Sequence, residues 1–564
     1  MIKSFTHEPR IAYFSMEIAL RNDIPTYSGG LGVLAGDTIR SAADLELPLV
    51  AVTLVSRCGY FRQEIDAEGR QIEHPDEWAP GEHATLLDAK VAVTLEGRTV
   101  WVAAWLYVLE GHMNGRQPVI LLDTDLPENN PEDREITHYL YGGDMRYRLK
   151  QEVVLGIGGS RLLQALGFDV RRYHMNEGHS AFLALELMLR HAYPPEDVRP
   201  GESPYDIPRV RERCIFTTHT PVEAGHDRFS YELWQQVMDG FVDLATLKQL
   251  AGETDLNMTR LALNLSEHVN GVAKRHAEVS RRMFPGYRVN AITNGVHPHF
   301  WTCDSFTRLY DTHLPGWCHE PELLRRADCC IDDEAVWQAH VQARAGLIER
   351  VQARCGVALD PEVAILGFAR RMTAYKRPDL LFSDLERLRE IARHHPFQVV
   401  LAGKAHPRDE GGRQLIERLH RHIRELVGEI TVAYLPGYDL DTALALVSGV
   451  DVWLNTPLRP LEASGTSGMK AAFNGVPSLS VLDGWWIEGC IEGVTGWAVG
   501  NSNESDNEGD ARSLHEKLEQ VVLPLYYGDR RGWVAVMKGA ITKNASYFNS
   551  HRMMRRYGVE AYIR

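Results

Sequence analysis

Four cations stand within eight positions in Arg370-Arg371-Met372-Thr373-Ala374-Tyr375-Lys376-Arg377. They follow the apolar run 363–368 and precede a helical pattern. Cations where a strand gives way to a helix suit an anion, above all a phosphate. Read alone, the run is equally a solvated charged turn. Gly403-Lys404-Ala405-His406-Pro407 follows another apolar run and carries the same two readings. A third cluster is Pro460-Leu461-Glu462-Ala463-Ser464-Gly465-Thr466-Ser467-Gly468-Met469-Lys470. Small residues and hydroxyls ahead of a helix N-terminus offer backbone N–H groups to an anion. The pattern is not a P-loop, because GxxxxGK[ST] is absent. Close packing is the plain alternative for such a turn, but it does not account for Glu462.

The first half offers quieter candidates. Ser28-Gly29-Gly30-Leu31-Gly32 precedes a helical pattern and reads first as a tight turn. Asn176-Glu177-Gly178-His179-Ser180 and His219-Thr220-Pro221 follow apolar runs. Each suits a polyol by hydrogen bonding, and each suits a capping loop equally well. Eight histidines and cysteines lie between His297 and Cys330, but their spacings match no structural zinc pattern, so no metal is expected. There is no HExxH and no nucleophile elbow.

The elements that must position these groups alternate. Strands are predicted at 11–17, 48–55, 118–124, 172–175, 213–218 and 289–292, with a hairpin over 91–109 about Glu96-Gly97-Arg98. Helical patterns run to about residue 45, over 145–166 and from 178. Residues 300–358 are helical and polar, which places the domain connection there. A second series follows, with strands at 363–368, 398–402, 430–435, 450–454 and 477–482 and helices at 378–394 and 411–427. Residues 501–510 read as an acidic loop, and 514–564 as helices. Alternating strands and helices imply parallel sheets covered on both faces, which bind ligands at the carboxyl ends of their strands.

The chain has 564 residues, 44% hydrophobic and 24% charged, which excludes disordered, collagen-like and disulfide-scaffold classes. With 76 acidic against 61 basic residues the net charge is −15, which argues against nucleic acid as a partner. No apolar run approaches the ~18 residues of a membrane span. The start, MIKSFTHEPR, lacks a signal-peptide apolar core. Eight cysteines without a CxxC point to a reducing cytoplasm.

Taken together, the clusters resemble the α-glucan phosphorylases, the family of glycogen and maltodextrin phosphorylase. Glu462-Ala463-Ser464-Gly465-Thr466 with Met469-Lys470 is similar to the family's pyridoxal-phosphate segment. Arg371 with Tyr375-Lys376-Arg377 resembles its phosphate motif, and Gly403-Lys404-Ala405 matches another stretch. Val269-Asn270-Gly271-Val272-Ala273 and Thr293-Asn294-Gly295-Val296 look like the end of its first domain, and Gly29-Gly30-Leu31-Gly32 like its glycine-rich loop. Six motifs in family order make the resemblance specific.

The resemblance implies an α/β fold of GT-B architecture, with two doubly wound Rossmann-like domains and the active site in the cleft between them. The implied divisions are 1–300 for glucan binding, 301–358 as a helical connection, 359–530 for cofactor and phosphate, and 531–564 as C-terminal helices free to pack back on the first domain. It implies pyridoxal 5′-phosphate (PLP) held by a Schiff base to Lys470. The implied reaction is reversible phosphorolysis of the terminal α-1,4-linked glucose of glycogen or a maltooligosaccharide, giving glucose 1-phosphate with retention. By the family motifs, Thr466 and Ser467 hold the cofactor phosphate, with Arg370 nearby and Tyr438 on the cofactor. Arg371 and Lys376 clamp the substrate phosphate. Glu462, Ser464, Gly465 and Asn294 bind sugar hydroxyls, His219 supports the sugar, and Gly30 and Leu31 bring a helix N-terminus to the reacting groups. Glucan and inorganic phosphate are the implied partners, without nucleic acid or membrane, and a homo-oligomer is compatible.

The chemistry agrees with these roles. Glycosidic cleavage develops oxocarbenium character, which an adjacent anion stabilises. A hydrolase places two carboxylates about the bond, whereas these clusters are mainly cationic. The cofactor's phosphate would serve as general acid, without use of the ring as an electron sink. The chain is shorter than the animal enzymes and starts near their first shared motif, so their N-terminal control by phosphorylation and nucleotides is not expected. Asp439 stands where many relatives have arginine, with Arg459 a candidate substitute; Ala19 replaces an aromatic residue and Gly468 an asparagine. Two other readings compete. A nucleotide-sugar-dependent retaining GT-B glucosyltransferase would carry a second glutamate eight residues after Glu462, where this chain has Lys470. A degenerate glucan-binding module would have lost Lys470, Arg371 or Lys376, and all three are present.

Overall fold

The computed structural model describes residues 2–6, 10–500 and 506–563. Two large sheets organise it. The first is built from β1 (Ile11–Ser15), β2 (Leu49–Leu54), β5 (Thr85–Leu95), β6 (Arg98–Glu110), β7 (Arg116–Asp123), β8 (Arg172–Asn176), β9 (Cys214–Thr217), β12 (His268–Gly271) and β13 (Asn290–Ala291). Between these lie two small pairs, β3 (Arg62–Ile65) with β4 (Gln71–His74) and β10 (Arg228–Phe229) with β11 (Leu256–Asn257). The spatial order is β13-β12-β9-β8-β1-β2-β7-β6-β5. All neighbours are parallel except the antiparallel β7-β6-β5 edge. The edge hairpin turns at Glu96 and Gly97, both at positive φ (52° and 72°), as a type I′ turn requires.

The second sheet comprises β14 (Ala364–Ala369), β15 (Phe397–Ala402), β16 (Val432–Leu435), β17 (Val452–Asn455), β18 (Ser478–Val481) and β19 (Gly496–Val499). Its order is β16-β15-β14-β17-β18-β19, all parallel. This is the doubly wound order, whose direction reverses between β14 and β17. Strands such as β2 (LVAVTL) and β14 (AILGFA) are buried throughout, as both-face coverage by helices demands. Aspartates start many of the helices here: Asp384, Asp409, Asp439, Asp506 and Asp529 each accept a backbone N–H of the first turn, worth about 1 kcal/mol apiece.

Several expectations need adjustment. The helix expected over 378–394 splits into a short 3₁₀ turn, Leu380–Phe382, and a helix Leu385–His394 that starts at its Asp384 cap. The helix over 145–166 is one body with a π turn at Val154–Gly158. Within 501–510, residues 501–505 lie outside the described residues, while Asn507 onward is helical rather than loop. Strands β12 and β19 and the β3/β4 pair had no separate signal. Residues 300–358 are largely helical, as expected, with Asp333–Cys355 the longest helix among them.

The two sheets are stitched together. Gln63 on β3 donates to Gly403 O at 2.8 Å, and Gln71 on β4 donates to Ala405 O at 2.9 Å. The chain finally returns to the first sheet: Tyr557 and Tyr562 hydrogen-bond Asn270 and His174, and Met553, Met554, Tyr557 and Tyr562 complete a core with Ile11, Tyr13 and Ile215. No helix among the described residues is long and apolar enough to cross a membrane.

Candidate active site

The four cations after β14 part company. Arg370 donates to Glu462 Oε2 at 2.7 Å and to Asn455 at the end of β17. Lys376 grips both Glu462 oxygens, at 2.9 and 2.8 Å. Arg377, in the left-handed region (φ 45°), is buried and bound to Thr456 O, Pro457 O and Asp510, so its part is structural. Arg371 alone has no ion pair among the described residues and stays exposed. Its guanidinium faces the glycine-rich turn: a Cβ on Gly29 would stand 3.3 Å from Arg371 Nη2. The expected convergence of Arg371 and Lys376 is therefore not what the ligand-free protein shows. Lys376 is committed to the Glu462 carboxylate, the nearest buried anion.

Glu462 is 5% exposed. Burial works against its charge, but Arg370 and Lys376 prevail and hold the carboxyl down at about 2. Its backbone N–H donates to Asp483 Oδ2 (2.9 Å), and burial pushes Asp483 up to about 6. Gly465, at φ 70°, sits so close that a Cβ would be 3.3 Å from Glu462 Oε1. Ser464 is buried beside it. Tyr438 lies within the field of Arg370; burial raises its hydroxyl pKa and Arg370 opposes the rise. Asp439 is the cap of the helix Leu440–Gly449 and pairs with Arg354 at 3.4 Å. Arg459 is bound to Asp510 beside Arg377, so it does not stand in for an arginine at 439.

Lys470 lies on the short helix Ser467–Phe473. Its Nζ is 3.7 Å from the centroid of the Trp301 ring, and it forms no ion pair among the described residues. Burial pushes its ammonium down to about 8. Ser467 Oγ accepts from Trp453 Nε1 at 2.9 Å, which leaves Thr466 as the hydroxyl of this turn without a hydrogen-bond partner among the described residues. Gly468 is obligatory: a Cβ would lie 2.7 Å from the Trp485 ring and 2.9 Å from Ser478 Oγ, which explains why no asparagine stands there.

On the opposite side, Gly30 and Leu31 open the helix Gly30–Asp44. The turn before it is held by Glu17, whose carboxylate accepts from Ser28 N (2.6 Å), Gly29 N (3.1 Å) and Tyr141 Oη (2.8 Å). Gly32 must be glycine because a Cβ would meet Glu17 Oε2 at 2.6 Å. His219 is fixed by Asn176 Oδ1 at 2.6 Å, while its backbone N–H and the Thr220 hydroxyl donate to Glu177. Burial pushes the imidazole down to about 3, so it is neutral. Glu177 itself is held at φ 75°, a conformation strained for a side chain of this size. Asn294 is buried with Oδ1 unpaired, and no hydrogen bond joins it to Glu462, Ser464 or Gly465 among the described residues.

The structure thus brings Arg370, Lys376, Glu462 and Gly465 together directly. It sets Arg371 against the Gly29 turn and Lys470 over the Trp301 ring. Asp37, Glu17, Asp483 and Trp301 join the site without having been singled out in the sequence. Glu17 alone left a trace, as the acid closing an otherwise apolar stretch. Among the histidines, His297 approaches Asp44 at 2.9 Å, with His551 3.6 Å from the same oxygen. The Phe300 N–H donates to His297 Nδ1, so Nε2 carries the proton given to Asp44, while His551 Nδ1 meets the Ser41 hydroxyl and its Nε2 makes no hydrogen bond among the described residues.

The residues fit PLP. A buried lysine without a carboxylate partner, a free threonine hydroxyl, two glycines that keep the turn open and the Arg370 guanidinium are the donor set that an aldehyde bearing a phosphate requires.

A profile of the carbohydrate phosphorylase family matches residues 212–496. Maltodextrin phosphorylase of Thermococcus litoralis is 40% identical over 98% of this chain and 70% of its own length. Glycogen phosphorylase of Aquifex aeolicus is 36% identical over 98% of this chain and 86% of its own length. An uncharacterised protein of Methanocaldococcus jannaschii is 32% identical over 98% of this chain and 99% of its own length. With relatives of this similarity along nearly its whole length, the chain belongs to the carbohydrate phosphorylase family.

Proposed function

We propose that the protein is a PLP-dependent α-glucan phosphorylase. It would transfer the terminal α-1,4-linked glucose of glycogen or a maltooligosaccharide to inorganic phosphate, reversibly and with retention. The observation that carries this reading is the pairing of two features: a buried, carboxylate-free Lys470 and a cation cluster that leaves Arg371 open towards the Gly29 turn. The architecture is GT-B, with the site in a cleft at the carboxyl ends of both sheets. The proposed divisions are 1–300 for glucan, 301–358 as connection, 359–530 for cofactor and phosphate, and 531–564 as closing helices. We assign it to the cytoplasm, where its eight unpaired cysteines stay reduced.

Lys470 would hold the cofactor, with Thr466, Ser467, Arg370 and Tyr438 about its phosphate. When bound, PLP supplies a phosphate group that exchanges a proton with the substrate phosphate. Arg371 holds the substrate phosphate from the open side. Lys376 joins it by exchanging one carboxylate contact for a phosphate oxygen, since a phosphate brings the charge that Glu462 now provides. Glu462, freed on that edge, accepts hydroxyl hydrogen bonds from the reacting glucose, with Ser464, Gly465 and Asn294 as further partners. Neutral His219, fixed through Asn176, donates or accepts at the sugar without adding a positive charge beside a cationic transition state. The N–H groups of Gly30 and Leu31 face the phosphate as it departs with the glucose.

The test is release of glucose 1-phosphate from maltodextrin and inorganic phosphate by the purified chain. Phosphate-dependent release supports the reading. A requirement for UDP- or ADP-glucose in place of phosphate would overturn it.

A further inference from the structure

Asp37 takes no part in the roles above, yet it stands behind Lys470. It lies on the helix Gly30–Asp44 and is 1% exposed. Both of its oxygens accept from Trp301 Nε1, each at 2.9 Å. The face of the same indole lies 3.7 Å from Lys470 Nζ. Three segments remote in sequence are thereby stacked as carboxylate, indole and amine. The Trp301 backbone is tied to the Lys470 segment as well, because Asn474, on the turn that follows Lys470, donates to Trp301 O at 2.7 Å.

An amine that attacks a carbonyl carbon must be neutral and aimed. Burial drives Lys470 towards neutrality. The ring face attracts its ammonium form and opposes that drive. A carboxylate at the indole N–H strengthens the ring's negative face and adds its own potential. The other charged groups in this field are Arg40, 3.8 Å from Asp37 on the same helix, and His297 ahead of Trp301. Arg40 is turned to Leu20 O (2.7 Å) and the Phe300 ring (3.8 Å), so it tempers Asp37 without capturing it.

We propose that Asp37 is a positioning residue that acts on Lys470 through Trp301, fixing the plane of the ring beneath the amine and setting the pH at which the amine loses its proton. The proposal deepens, and rests on, the reading of Lys470 as the cofactor-bearing lysine.

Trace acetylation of the full-length chain with acetic anhydride between about pH 6 and 10 reads the proton loss of Lys470 from the mass spectrum of its peptide. Asp37→Asn keeps an acceptor for the indole and removes the charge. Its Lys470 midpoint is expected about one unit below wild type, a roughly tenfold gain in neutral amine at a fixed pH below the midpoint. Arg40→Met is expected to move it upward. General loosening would expose Lys470 and raise the midpoint towards ~10.4 in any variant, so a downward shift separates charge from damage. Trp301→Phe, which keeps a ring but breaks the link to Asp37, is expected to lower it too and serves if Asp37→Asn does not fold. An unchanged or raised midpoint in folded Asp37→Asn or Trp301→Phe overturns the proposal. Protection of wild-type Lys470 by PLP is the separate arm. Its absence overturns the cofactor reading, whereas protection without the downward shift overturns the role of Asp37 alone.

Discussion

Replacing Glu462 by glutamine separates a working anion from a turn residue. Arg370 and Lys376 hold the carboxylate at 2.7–2.9 Å and depress it from 4.5 to about 2. That difference corresponds to about 3 kcal/mol of stability at neutral pH. The folded-state value lies below the unfolded one, so this contribution is complete above about pH 4.5 and fades as pH falls through about 2. Glu462→Gln keeps the shape but leaves two buried cations without a counter-charge, and breaking a buried pair from one side costs about 3–5 kcal/mol. Inorganic phosphate can neutralise the same cations and, at about 100 times its Kd, returns about 2.7 kcal/mol. The expected outcome is a lower thermal midpoint in phosphate-free buffer and a larger rise on adding phosphate than in wild type. The rate of glucose 1-phosphate release should fall about tenfold or more, since each charge-assisted bond to a sugar hydroxyl is worth ~1.5–3 kcal/mol. A wild-type rate with an unshifted midpoint would refute the placement of Glu462 at the reacting centre.

Arg371→Ala should raise the phosphate concentration needed for half-maximal rate and lower kcat while leaving the thermal midpoint near wild type, because the guanidinium surrenders no ion pair. A large loss of stability would show that it is structural instead. Burial depresses His174, His179, His219 and His551 to about 3 and His276 and His299 to about 4. Their contribution is complete above the unfolded value near 6.5 and is lost as pH falls towards 4, so the thermal midpoint should drop steeply over that window; a flat profile from about pH 7 to 4.5 contradicts these shifts. Gly468→Asn should destabilise by about 1–3 kcal/mol through overlap with Trp485 and Ser478, and combining it with Trp485→Leu should recover part of the loss in a denaturation series. Full stability in the single variant would mean that Trp485 moves freely.

The strands of both sheets were legible where apolar runs end in polar clusters, as at Phe368 before Arg370 and Leu454 before the Pro460–Lys470 stretch. β12 (HVNG) and β19 (GWAV) were not, because neither carries an apolar run that stands out from its surroundings and each is made a strand by its neighbour in the sheet. The cations after β14 were visible as a group, but their division among Glu462, Asp510 and open space depends on what lies across from each. Lys470 was legible through its motif. Asp37 and Trp301 were not, because 264 residues separate them and only the folded chain joins carboxylate to indole N–H. Arg459 shows the converse: it offered itself as a substitute for an arginine at 439 and is bound to Asp510 instead.

The return of the C-terminus to the first sheet also governs the order in which this protein can be made. Met553, Met554, Tyr557 and Tyr562 complete a core with Ile11 and Tyr13 that joins segments far apart along the chain. Until residues 550–562 are in place the first sheet lacks these apolar side chains on one face, and Ser41 lacks its partners Ser550 and His551. Arrival of that segment, rather than completion of either sheet, is what closes this core. A chain cut after Phe548 would thus keep the residues of the second core and leave one face of the first sheet exposed, a substrate for chaperones and proteases.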